Sequence, residues 1–312
     1  MKSSGHGRAL LLALIALGGA ACGNYSNEDV DFQLAVPARD DLSVKLPTQQ
    51  ALTSADAAEY LTVTHQTVGV FNQFVDGLTG IVDAVRAYAP SERQGDVRLW
   101  GPFLNDADHA WELRLRMTRG SDGAAGQRFL YEIEFHRVGD AAAPWQRLIA
   151  GTFAPATGFR RGTGEVELTL VAARAAGYPV AEWKDLQTLH IKYQRTTAPI
   201  TVELTFENLP SNETPGGTYS YAEAADGAGA MNFVWRRRDN ALVQALGIMA
   251  RWRPDGAGRA DARVVDGVPA LLNAVVGIDC WGPEGRNTYL RRDVAPKREV
   301  GLPASCVFGP PP

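Results

Sequence analysis

From His109 onward, apolar and polar residues alternate in one short segment after another, and that period constrains the chain more than anything else in it. Trp111, Leu113, Leu115 and Met117 fall on one side, with Glu112, Arg114 and Arg116 on the other. Phe129, Tyr131, Ile133 and Phe135 alternate with Glu132, Glu134 and His136, and Ile200, Val202, Leu204 and Phe206 with Thr201, Glu203 and Thr205. Similar runs occur near 145–154, 164–172, 188–195, 218–224, 229–237, 242–253, 258–265 and 274–281. Successive side chains of a strand project to opposite faces, so this pattern predicts antiparallel strands with one face buried and one wet. The turns agree. Asp122-Gly-Ala-Ala-Gly126, Asp226-Gly-Ala-Gly229 and Asp255-Gly-Ala-Gly258 each separate two alternating runs, and Gly and Asp tolerate the positive φ of hairpin turns.

Ahead of the strands, one segment has a helical period. Leu61, Val68, Phe71, Phe74, Val75, Leu78, Ile81, Val82, Val85 and Tyr88 recur at threes and fours, which predicts an amphipathic helix over about 54–89. Thr53 or Ser54 would supply the N-cap, Asp56 and Glu59 complement the dipole, and Pro90 ends the run. Gly77 and Gly80 make a break near 77–80 plausible. A further short helix is expected around Val171–Gly177 or near Ala181–Leu186. A stripe on a helix and a one-sided sheet bury each other. The expected class is therefore α+β and β-dominated. A large curved antiparallel sheet of roughly ten strands, an open or partial barrel, would pack on one long N-terminal helix in a single domain over 53–312. Residues 22–52, polar and interrupted by Pro37 and Pro47, read as a flexible tether, in which a short piece such as Phe32–Val36 could still dock as an edge strand.

Residues 1–21 read as an export signal. Lys2 and Arg8 precede an unbroken apolar run, Ala9–Leu17. As a helix that run spans roughly 14 Å, short of the ~30 Å hydrocarbon core of a bilayer. Small residues follow, as cleavage requires. Gly19-Ala20-Ala21-Cys22 resembles the lipobox of bacterial lipoproteins, although Gly19 stands where leucine is usual. The resemblance covers the signal alone. It implies acyl chains on Cys22 and a membrane anchor in the cell envelope. Gly23 after the cysteine implies the outer membrane rather than the inner one. Gly19-x-Ala21 also satisfies plain signal cleavage, so secretion without lipid stays open. The chain has three cysteines. With Cys22 lipidated, Cys280 and Cys306 remain as an even pair in an oxidising compartment, which predicts a disulfide; two free thiols are the alternative. Trp281 is expected to pack on it.

The remaining motifs exclude more than they assign. The chain has 312 residues, is 21% charged and carries a net charge of −4, so no nucleic-acid partner is called for. Gly-x-Gly at 227–229 and 256–258 runs into strands, unlike a phosphate loop, which opens a helix. His65, His109, His136 and His190 stand singly, without metal-ligand spacing, and no metal or cofactor is expected. No G-x-S-x-G, S-x-x-K or catalytic-cysteine pattern is present. Arg236, Arg237, Arg238, Arg251 and Arg253, with Arg259 and Arg263, outnumber Asp239, Asp255 and Asp261 in adjacent strands. They form a candidate patch for an anionic lipid or glycan, against the alternative of a wet face whose charges pair across strands. The seven tryptophans are expected to fill the core more than to line a site.

Two functional classes survive. A non-enzymatic envelope lipoprotein binding a lipid, a glycan or a protein predicts an apolar groove between helix and sheet without convergent polar groups. An envelope hydrolase acting on glycan or ester bonds predicts a cleft with paired carboxylates or a Ser/His pair. In shape, the expected layout looks like the open barrels of periplasmic lipoprotein carriers, a likeness that implies nothing about task.

Overall fold

A computed structural model describes residues 26–47, 57–121, 126–157, 160–180, 183–239, 242–266 and 274–309. The signal, Cys22 and Thr53 to Asp56 lie outside these residues. Helical residues ahead of the sheet divide among α1 (Asn27–Ala35), α2 (Arg39–Leu42) and α3 (Glu59–Arg86). Then come β1 (Glu92–Gln94), β2 (Val97–Leu104), β3 (Trp111–Ser121), β4 (Gln127–Arg137), β5 (Gln146–Pro155) and β6 (Gly162–Thr169). After α4 (Val171–Ala176) follow β7 (Leu186–Gln194), β8 (Ile200–Asn208), β9 (Gly216–Glu223), β10 (Gly229–Asp239) and β11 (Leu242–Trp252). The last are β12 (Gly258–Asp266), β13 (Val275–Trp281), β14 (Asn287–Arg292) and β15 (Arg298–Gly301). Among the described residues these 15 strands form one sheet in strict chain order. Each strand is antiparallel to the next, and β1 is not paired with β15, so the sheet is open.

Two expectations are corrected here. The single long N-terminal helix predicted over 54–89 does not form as such. Ala57 instead makes an isolated bridge to Arg286, α3 begins at Glu59, and two shorter helices precede it. Nor are residues 26–47 a flexible tether. Phe32, Ala35, Val36, Leu42 and Val44 are buried in the main core, with the Phe32 ring edge-on to Phe129 at 5.3 Å. Ser26 and Asp29 close a capping box on α1. The buried Asp29 carboxylate is met by Arg98 at 2.7 Å and Arg93 at 3.0 Å. The segment's low overall apolarity hid a few well-spaced anchors.

α3 crosses the inner face of the sheet. At its start the Tyr60 amide donates to Asp279 on β13 at 2.6 Å, and the Tyr60 ring lies against Gly277. Further along, Phe71 meets Tyr219 on β9, Phe74 meets Phe206 on β8, and Gly77 abuts the Trp183 indole. The helix runs unbroken through 77–80. Thr64 and Thr79 donate to carbonyls four residues back, so their hydroxyls are satisfied inside the core. On the flank, the Asn72 side chain pairs with Val44 twice, accepting from its N–H and donating to its carbonyl, which pins the N-terminal segment to α3.

The inner face carries aromatic rings laid over glycines of a neighbouring strand. Tyr131 covers Gly151, Tyr193 covers Gly164, Trp252 covers Gly229 and Trp281 covers Gly258. A ring lying flat on a glycine fills space that a Cβ would occupy. α4 forms at the first of its two predicted places and ends at Gly177, whose φ of 79° lets its N–H return to Ala173 and Arg174 carbonyls.

Candidate functional site

Where α3 passes β10 and β11, helix and sheet do not close completely. Val63, Gln66, Thr67 and Val70, spaced as one helical stripe, face Phe233 and Trp235 of β10 and Leu246 and Ile248 of β11. The strand residues come in two paired rows, Phe233 opposite Ile248 and Trp235 opposite Leu246. Between the two walls lies a groove of about 400 Å³, within the ~300–1,000 Å³ common for small-molecule sites. Its lining is apolar except for the Gln66 amide and the Thr67 hydroxyl, and it contains no titratable side chain. Val70 and Leu246 are 38% and 44% exposed, so the groove opens to solvent there.

Behind the groove stands an aromatic stack. Tyr219 lies parallel to Phe206 and Phe233, and Trp235 meets both Phe206 and Tyr219 edge-on at 6.3 and 6.2 Å. Burial pushes the Tyr219 phenol far up, so it stays neutral, and its hydroxyl has no partner among the described residues. This stack fixes the Trp235 ring as a rigid wall.

The arginines of the candidate anionic patch are not brought together. Arg237 shares the groove face, two residues beyond Trp235 and opposite Gln244, and both are exposed. Arg236 and Arg238 fall on the opposite face by alternation, and Arg238 donates to the Pro210 carbonyl. Arg251 donates to the Gly309 carbonyl at 2.8 Å and lies 5.1 Å over the Phe308 ring. Arg253 pairs with Asp255 at 3.4 Å. Arg259 and Asp261 form a buried ion pair, with Arg259 also donating to Phe308. A single basic surface is therefore replaced by separate contacts on two faces, because period-2 geometry splits Arg236, Arg237 and Arg238.

Cys280 and Cys306 are bonded. Trp281 does not pack on the bridge. It lies over Gly258 on the inner face, while the bridge is covered by Ile278 and Tyr289. Of the tryptophans, Trp100, Trp111, Trp252 and Trp281 are buried in the core, Trp183 covers Gly77, Trp145 stacks on His136, and Trp235 alone lines the groove. His136 is held by Glu112 at 3.0 Å and the Ala143 carbonyl at 3.1 Å, and His190 faces Glu165 at 3.4 Å. Among the described residues no three His, Cys, Asp or Glu side chains converge on a metal site, and no helix is long and apolar enough to cross a membrane.

An apolar groove between helix and sheet is what the binding hypothesis expects, but its place and its lining residues are not legible in the sequence. Val63, Gln66, Thr67 and Val70 carry the period of an ordinary core stripe, and nothing in the residue types signals incomplete packing. Compared with family models, with characterised proteins and with solved structures, the chain matches none.

Proposed function

We propose that this protein is an exported, lipid-anchored envelope protein, without enzymatic activity, that binds an apolar small molecule such as a lipid between α3 and β10–β11. The sheet would act as an open partial barrel around that helix. The observation carrying the reading is the groove, whose eight lining residues include five aliphatic or aromatic ones on the sheet and the exposed helix flank, Val70, Phe233, Trp235, Leu246 and Ile248. Each CH₂ moved from water into such a site gains about 0.8 kcal/mol, and the lining holds no titratable group that could act as acid or base, or activate the Thr67 hydroxyl, for hydrolysis there. Anchoring rests on the likeness of Gly19-Ala20-Ala21-Cys22 to a lipobox. Acyl chains on Cys22 would hold the groove near a membrane that supplies its ligand.

The test uses the neutral probe N-phenyl-1-naphthylamine, whose fluorescence rises in apolar surroundings. The full mature chain should brighten it, and Val70→Glu and Leu246→Glu, both at exposed positions, should abolish the signal while leaving the melting temperature within a few degrees. No brightening, or brightening unchanged in both variants, overturns the groove reading. In cells, Cys22→Ser should move the protein from salt-washed membranes to the soluble fraction; continued sedimentation overturns the anchor.

A further inference from the structure

The rows of side chains that line the groove continue beyond it, and their chemistry changes in one step. Phe233 pairs with Ile248, then Trp235 with Leu246, then Arg237 with Gln244, all on the same face of β10 and β11 and with no register shift in between. The first two rows line the groove, and the third is exposed at its end. Among the described residues no ion pair engages Arg237, in contrast to Arg251, Arg253 and Arg259, whose charges are met within the chain. Trp235 occupies the changeover row, where an indole with an apolar body and one N–H donor suits the boundary between hydrocarbon and water. A guanidinium offers several donors in a fixed plane, matched to the oxygens of a carboxylate or phosphate. Gln244 adds an amide beside it.

We propose that the groove selects a single-chain amphiphile with an anionic head, its hydrocarbon lying along Phe233, Ile248, Trp235 and Leu246 and its carboxylate or phosphate against Arg237 and Gln244. Fatty acids and lysophospholipids share this chemistry. The inference rests on the groove reading above and deepens it: the apolar walls supply affinity for any chain, and the Arg237 row decides which head is accepted. A neutral head would leave the guanidinium hydrated and gain nothing from it, whereas an anionic head gains a charge-assisted pair partly shielded by the indole. A free anion without a chain would meet only an exposed arginine and bind negligibly.

Calorimetric titration with laurate and with monolauroylglycerol, each below its micelle concentration at pH 8, separates the two levels of the argument. The chain length is the same and only the head differs. Laurate should bind about tenfold more tightly than the neutral ester, one decade being about 1.4 kcal/mol. Arg237→Gln should remove that preference and leave monolauroylglycerol unchanged. Arg236→Gln, on the opposite face, should change neither. Lauroyl lysophosphatidylglycerol should follow laurate, and inorganic phosphate at the same concentration should show no heat. Equal affinity for laurate and the neutral ester in the wild type, or a preference that survives Arg237→Gln, overturns the head-group inference while leaving the groove intact. Failure of both ligands to bind, together with a silent Leu246→Glu, overturns the groove itself. Circular dichroism of Arg237→Gln confirms that an exposed substitution has left the fold in place.

Discussion

Asp279 on β13 caps a helix that lies 219 residues away in sequence: its Oδ2 accepts the Tyr60 amide at 2.6 Å while Asn287 donates to Oδ1. A residue local to the helix start normally fills this role. Here a strand fills it, so the start of α3 has its cap only where β13 is in place. Gly277 on the same strand makes room for the Tyr60 ring, and Arg292 on β14 holds Glu59 at 3.0 Å. Three contacts from β13–β14 thus fix where the helix begins.

That cap makes stability depend on pH with a definite sign. Burial pushes the Asp279 carboxyl from 3.8 up to about 7, against the pull of the Tyr60, Asn287 and Leu61 donors. A group raised on folding contributes stability that is present in full below its unfolded value, about pH 4, and lost as pH rises through about 7. His65 acts in the other direction: burial lowers it from 6.5, so its contribution is present above that value and lost as pH falls. The melting temperature of the wild type minus that of Asp279→Asn should therefore fall from pH 4 to pH 8. The same difference taken against His65→Gln should rise over the range. A flat difference for Asp279→Asn would show a carboxylate ionised throughout and the cap driven by charge.

Docking of residues 26–47 should hinge on Asp29. Burial pushes its carboxyl up, but the bonds from Ser26, Arg98 and Arg93 outweigh this and hold it at about 2. The contribution of a lowered carboxyl is present above about pH 4 and lost as pH falls through about 2. Arg98 is itself buried, so Asp29→Ala leaves a guanidinium with only the exposed Glu28 as ionic partner. Breaking one side of a buried pair costs about 3–5 kcal/mol. Amide protection over 27–44, measured against the intrinsic exchange rate at each pH, should fall in Asp29→Ala at pH 7 and in the wild type only near pH 2. Exchange already fast in the wild type at pH 7 would restore the flexible tether.

The aromatic-over-glycine pairs give a sharper local test. A Cβ added at Gly151 would run into the Tyr131 ring, whereas one at Gly120 meets nothing nearer than a carbonyl at 4.0 Å. Gly151→Ala should cost about 1–3 kcal/mol by overpacking, and Gly120→Ala should be near neutral. Combining Gly151→Ala with Tyr131→Leu should recover part of the loss, since the two sites share one space. Equal effects of the two alanine variants in urea denaturation would refute the packing argument.

How much of this was legible follows from what each residue encodes locally. Alternation in Trp111 to Met117 or Phe129 to Phe135 marks a strand because the faces differ in solvent, and β3, β4 and β8 form where the period places them. β2 was not legible: Gly101-Pro102 interrupts Val97–Leu104, and a proline within a run argues against a strand, yet the register shifts between Trp100 and Phe103 to absorb it. β14 and β15 are too short to show a period. The local sequence offers Thr53 or Ser54 as the cap on α3, because a distant Asp279 leaves no local trace. The same holds for the groove. Incomplete closure between α3 and β10–β11 is a property of how two apolar stripes meet, and neither stripe carries it alone.

The disulfide does two separable jobs. Cys280 is buried and lies 26 residues from Cys306, and closing such a loop contributes about 3.5 kcal/mol in the chain-entropy model. It also brings the C-terminal arm over the outer face of β11 and β12. There the Phe308 carbonyl accepts from Arg259 at 3.1 Å and the Gly309 carbonyl accepts from Arg251 at 2.8 Å, above the buried Arg259–Asp261 pair. Phe308→Ala keeps the loop closed and removes only the ring beneath Arg251, so it should lower stability by well under half of the disulfide's share. Cys280→Ala with Cys306→Ala should lose the full amount, and hydrogen exchange should rise both in 302–309 and in β12 around Asp261. If only the arm exchanges faster while β12 stays protected, the ion pair is buried by the sheet itself and the arm is a passenger.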